Sequence, residues 1–210
     1  MILTAPAFIS KTNIEIPRNI GSMSCGLYRA NLLAAPDLMP ELNSLFETIP
    51  VELEDRHNWE VDIKIHMLQP TQFPCNANWH CDNIIRRAGQ LQYEETYKLR
   101  NEPNQKMFLW LSGSPETEFL AKDLEIDFYP KAHGELADIM NLPEVDKFRL
   151  QPQAWYSFDR ISPHRGNESS DFCWRIFARV THRSITPERP KISAIRRHAQ
   201  VYMDKNSFTW

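Results

Sequence analysis

Leu38, Met39, Leu42, Leu45 and Phe46 recur at three- and four-residue steps behind Pro36 and Asp37, and Pro50 closes the segment. This spacing lays apolar side chains along one stripe of a single helix, with a proline and an acid suited to its first turn. The period then changes. Over 61–68, Val61, Ile63, Ile65 and Met67 alternate with Asp62, Lys64, His66 and Leu68. A two-residue repeat predicts a strand with one apolar face, which leaves Lys64 and His66 on its solvated side. Met107–Leu111 is a short, unbroken apolar run, as in a strand buried on both faces. Thr117–Leu120, Ala154–Phe158 and the alternating 173–181 are further strand candidates, and 136–140 reads as a brief helix ended near Pro143. The chain before Pro36 reads as irregular. Residues 84–106 form a polar excursion with a helix around 92–100, the kind of long insertion that often serves as a lid.

Short strands between proline-rich turns fit a sandwich or barrel better than a βαβ array. The predicted class is therefore mainly β with flanking helices (α+β). A chain of 210 residues suffices for one domain. Its six glycines include no GxGxxG or P-loop spacing, which removes the common nucleotide folds. A net charge of -3 gives no overall attraction to nucleic acid. The four cysteines lack a CxxC pair, no leader pattern opens the chain, and no apolar run reaches bilayer length. These features lead us to expect a cytoplasmic protein in a reducing compartment, without a membrane partner.

The chemistry-bearing residues are His80-Cys81-Asp82, His164, Arg175 and Arg179. On an extended strand His80 and Asp82 project from one face, and Cys81 turns the other way into packing. An imidazole and a carboxylate so placed occupy adjacent positions on a metal. A second histidine from a facing strand, His164, completes a triangle and leaves positions open for a co-substrate and dioxygen. Arg175 and Arg179 share a strand face with Phe177 and Thr181, opposite Trp174, Ile176, Ala178 and Val180. An arginine buried in a barrel is costly unless it meets an anion. Arg175, nearer the start of its strand, is favoured over Arg179. Trp79 reads as core; Asn83 and Thr117 are open between a site role and ordinary turn or strand roles.

Trp79-His80-Cys81-Asp82, Leu109-Trp110-Leu111-Ser112-Gly113 with Thr117-Glu118-Phe119-Leu120, and Pro163-His164-Arg165-Gly166 with Arg175 occur in that order. Over 61–181 the chain thereby resembles the Fe(II)/2-oxoglutarate-dependent oxygenases. The resemblance implies a distorted double-stranded β-helix (jelly roll, cupin-like) over 61–181. Helical support over about 1–60 and a basic extension over about 182–210 complete one oxygenase domain. It implies that His80, Asp82 and His164 bind Fe(II) and carry catalysis. Arg175, with Arg179 and Thr117 as further candidates, would hold 2-oxoglutarate. Hydroxylation of a C–H bond by O2, with release of succinate and CO2, would follow. A cupin-like small-ligand-binding protein with a structural or silent metal is the main alternative. A nucleic-acid- or nucleotide-modifying oxygenase is another, since 182–198 carries Arg183, Arg189, Lys191, Arg196 and Arg197 against Glu188 alone. Arg86 and Arg87 read as a solvated pair that an anionic substrate would use if the excursion faces the site. His57, His133, His182 and His198 read as surface or loop residues.

Overall fold

Nine strands make the two sheets that matter for the site, in a computed structural model that describes residues 1–23, 25–185 and the strand Ala194–Arg196. In chain order they are β1 (Ala7–Lys11), β2 (Ala30–Asn31), β3 (Trp59–Leu68), β4 (Met107–Leu111) and β5 (Thr117–Leu120). After them come β6 (Lys147–Arg149), β7 (Ala154–Phe158), β8 (His164–Gly166) and β9 (Cys173–His182). One sheet has the order β1-β7-β4-β9-β3-β2 and the other β6-β5-β8. Every pairing in them is antiparallel. The protein is mainly β, with four α-helices of four to eight residues among the described residues.

The ladder between β9 and β3 runs from Cys173 opposite Leu68 to His182 opposite Trp59. Because side chains alternate, this register sorts them into two layers. Val61, Ile63 and Ile65 join Ile176, Ala178 and Val180 on one face, where they pack with Trp110 and Trp155. Met39, Leu42, Leu45 and Phe46 close that layer. On the opposite face Asp62, Lys64 and His66 stand across from Arg179, Phe177 and Arg175.

Lys64 and His66 therefore depart from the expected solvated face. β3 lies between β9 and β2 inside the larger sheet, so helices cover one of its faces and a cavity lined from both sheets covers the other. His66 is only 1% exposed. Alternation alone cannot separate water outside a protein from a polar cavity within it.

The expected helix after Pro36 is also interrupted. It forms as α1 (Ala35–Leu38), a 3-10 turn at Pro40–Leu42 and α2 (Asn43–Glu47). Met39, ahead of Pro40, takes φ -146° and ψ 68°, because the proline ring excludes the α conformation from the residue before it. The apolar stripe survives the break, with Met39, Leu42, Leu45 and Phe46 all buried. The chain before Pro36 is less irregular than expected, since β1 pairs with β7 at the sheet edge. Two more helices follow, α3 (Tyr93–Lys98) and α4 (His133–Met140). No helix among the described residues is long and apolar enough to cross a membrane. All four cysteines are free. Of the basic C-terminal residues, Arg183 lies 3.5 Å from Glu60; Arg189, Lys191 and Arg197, with His198 and the acid Glu188, lie outside the described residues.

Candidate metal centre

A single rung of antiparallel pairing brings the two distant histidines together. The His80 N–H donates to the His164 carbonyl over 3.0 Å, and the His164 N–H donates back to the His80 carbonyl over 2.9 Å. Extended pairing ends there, because Asp82 and Asn83 already turn and Asn83 has φ 56°. The Asp82 carboxylate still swings to the histidines, with Oδ1 3.9 Å from His80 Nε2 and Oδ2 3.6 Å from His164 Nε2. One ligand atom from each residue falls within 4.8 Å of the others.

The imidazoles are oriented from behind. His80 Nδ1 lies 2.9 Å from the Asn78 carbonyl and His164 Nδ1 lies 3.0 Å from the Ser162 carbonyl. A carbonyl only accepts, so each Nδ1 carries the proton and each Nε2 presents its lone pair to the shared space. The His164 ring stacks on Phe119 at 4.9 Å and meets Phe158 edge-on.

Charge is set as a ligand needs it. Burial, and then the neighbouring His164, push His80 down to about 3, so its ring is neutral at ordinary pH. Burial alone would raise Asp82, but the opposing charge, led by Arg179, outweighs it and holds the carboxyl well below its usual range. The Arg179 guanidinium divides between two carboxylates, donating Nη1–H to Asp82 Oδ2 over 2.5 Å and Nη2–H to Asp62 Oδ2 over 2.6 Å. Burial would lower this guanidinium, yet those carboxylates keep it raised. Asp62 in turn accepts the Arg29 N–H.

The depressed histidine makes the metal-free protein acid-labile. An imidazole that titrates near 6.5 when unfolded and at about 3 when folded binds fewer protons in the folded state throughout that interval. This histidine's contribution to stability is complete above pH 6.5 and falls as the pH drops toward 3. His133, lowered to about 4 chiefly by burial and next by Arg86, acts in the same direction. Thermal melts of the metal-free chain from pH 7 to 4 should show a steadily falling Tm. His80→Gln should fall less steeply, and an equal slope in the two proteins would contradict the assignment.

Beside the triad lies a cavity of about 920 Å³, walled by both sheets and by part of the 84–106 excursion. Arg175 is 1% exposed and is not itself a lining residue, although its strand neighbours Phe177 and Arg179 and its partner Thr117 are. Its Nη2–H donates to Thr117 Oγ1 over 3.1 Å, whereas Nε and Nη1 have no hydrogen-bond partner among the described residues. Burial lowers this guanidinium to about 10, so it remains charged at neutral pH. A buried cation with two idle donors is unfavourable by itself, and an entering carboxylate satisfies both.

The structure thus brings His80, Asp82 and His164 into one cluster and joins Arg175 to Thr117. It commits Arg179 to Asp62 and Asp82. Cys81 and Trp79 pack in the core, as the sequence reading has them. Lys64 and His133 line the cavity in addition. Lys64 Nζ sits 5.6 Å from the centre of the Phe177 ring, with its ammonium lowered by burial and next by Arg179. His133, expected at the surface, is half-buried: it shares a 3.0 Å hydrogen bond with the Tyr93 hydroxyl, and its ring lies 6.2 Å from that of His80. Nothing in its sequence spacing marks it. Of the other histidines, His57 stays near the surface, and His182 meets Trp59 edge-on at 5.0 Å.

The donor set fits a first-row divalent metal. Two imidazole nitrogens and one carboxylate oxygen on one side of an ion are the arrangement that suits non-haem Fe(II) with vacant positions. No family model, no curated protein and no solved structure matches this chain.

Proposed function

We propose that this protein is an Fe(II)- and 2-oxoglutarate-dependent oxygenase that hydroxylates a C–H bond of an organic substrate, built on a double-stranded β-helix. The observation that carries the reading is the pair of Nε2 atoms, freed by Nδ1 contacts to backbone carbonyls, facing the Asp82 carboxylate at the edge of a large cavity. Bound there, Fe(II) and 2-oxoglutarate would supply the oxidation of a C–H bond by O2, releasing succinate and CO2.

The chain's own task is placement. His80 and His164 would hold the ion through Nε2, and Asp82 through a carboxylate oxygen. Arg179 keeps that carboxylate ionised and aimed, with its second arm anchored on Asp62. Arg175 would take the distal carboxylate of 2-oxoglutarate through the donors that have no partner among the described residues, and Thr117 holds its guanidinium in place. Phe119 and Phe158 pack the His164 ring on its inner side and limit water there.

Anaerobic titration with Fe(II) and 2-oxoglutarate tests the reading without knowledge of the substrate. A visible metal-to-ligand charge-transfer band is expected only when both are present. Metal binding without that band would instead favour an inert, cupin-like binding protein.

A further inference from the structure

Two adjacent arginines on the excursion are used unequally. Arg86–Arg87 pairs with Gln90–Leu91 across a two-residue turn, in which Ala88 and Gly89 have φ of 49° and 83°. Such turns require positive φ at both central residues and match the twist of the flanking strands. The register sets Arg86 opposite Leu91 and Arg87 opposite Gln90. Side chains of directly paired residues share a face, so Arg86 and Leu91 present a cation and an apolar group side by side.

Arg87 is neutralised by Glu95, its Nε 2.7 Å from the carboxylate. Arg86 meets no carboxylate among the described residues, and its Nη1 reaches the Gly89 carbonyl at 3.4 Å. The cavity as a whole is unbalanced in the same sense. Five cationic residues line it against two acids, Asp82 and Glu95. Those acids are already engaged by Arg179 and Arg87. Next to Arg86, the wall is apolar, formed by Ile84, Ile85, Leu91 and Leu99. A space that is greasy along one wall and whose lining cations outnumber its acids selects a molecule with an apolar body and a negative end.

We infer that the cavity takes a small organic anion, its carboxylate or phosphate held by Arg86 and its apolar body laid along Leu91 toward the metal centre. That this ligand is the oxygenase substrate rests on the proposed function; its binding does not.

Calorimetry on the metal-free full chain tests the inference, with 2-oxoglutarate present throughout to occupy Arg175. The probes are octanoate and octyl phosphate, with octanol and octylamine as controls of matched chain length. At least one of the anions should bind tenfold or more tighter than octanol, and its preferred head group identifies the ligand as carboxylate or phosphate. Arg86→Glu should weaken that anion at least tenfold, Arg86→Lys should retain most of the affinity, and Arg87→Glu should change it little. Equal binding of octanol, no anion binding, or an unaffected Arg86→Glu would overturn the inference. The charge-transfer titration separates the two proposals. A band without anion binding removes this inference alone, and anion binding without a band removes only the oxygenase reading.

Discussion

His164→Ala should lower Fe(II) affinity by at least a thousandfold, about 4 kcal/mol, with the fold retained. The loss is large because, on the proposed reading, the ring would supply one of three ligands, and even groups that merely orient a ligand typically contribute ten- to a hundredfold. The fold survives because the rung to His80 is main chain at both ends and does not need the imidazole. Truncating a ring that packs on Phe119 and Phe158 should cost about 1–3 kcal/mol of stability. Anaerobic calorimetry with Fe(II), beside circular dichroism and a thermal melt, separates the two effects. An affinity within tenfold of the parent in a folded variant would remove His164 from the ligand set.

Arg175→Met should reduce 2-oxoglutarate binding at least a hundredfold and leave the ligand-free protein as stable as the parent, or up to about 1 kcal/mol more stable. The parent carries a 1% exposed guanidinium with two donors unmet, and methionine fills similar space without that desolvation cost. The Thr117 hydroxyl loses one partner, a smaller penalty. Arg179→Met provides the contrast. It strands the Asp62 and Asp82 carboxylates, so it should destabilise by roughly 3–5 kcal/mol. Melts and 2-oxoglutarate titrations of both variants test the pair of outcomes. A marked loss of stability in Arg175→Met, with binding intact, would show Arg175 to be structural only.

The two arginine expectations come from one strand, β9, whose pattern is plain in the sequence. Arg175, Phe177 and Arg179 alternate with Ile176, Ala178 and Val180, and the structure keeps that division. The convergence of His80, Asp82 and His164 could likewise be anticipated from ligand chemistry. What sequence could not separate was the fate of the two arginines, because it depends on the register that puts Asp62 opposite Arg179 and His66 opposite Arg175. The expected solvated face of Lys64 and His66 fails for a related reason: a polar cavity and bulk water impose the same two-residue period. β1 and β6 have few buried residues to betray them, so their pairing is decided by main-chain partners far along the chain. The break at Pro40 was legible from proline chemistry; the apolar stripe, which continues across it, drew the reading toward one helix.

The His80–His164 rung is an isolated bridge, joined by one more main-chain bond from the Gly166 N–H to the Asn76 carbonyl and by no strand at His80. An ion seated between those rings would act as a clasp on everything strung between positions 80 and 164, including the hairpin, α3 and α4. Loading the centre would then quiet the walls of the chamber as well as arm it, so that a chain still waiting for its ion would also be one still loosely shaped for its guest.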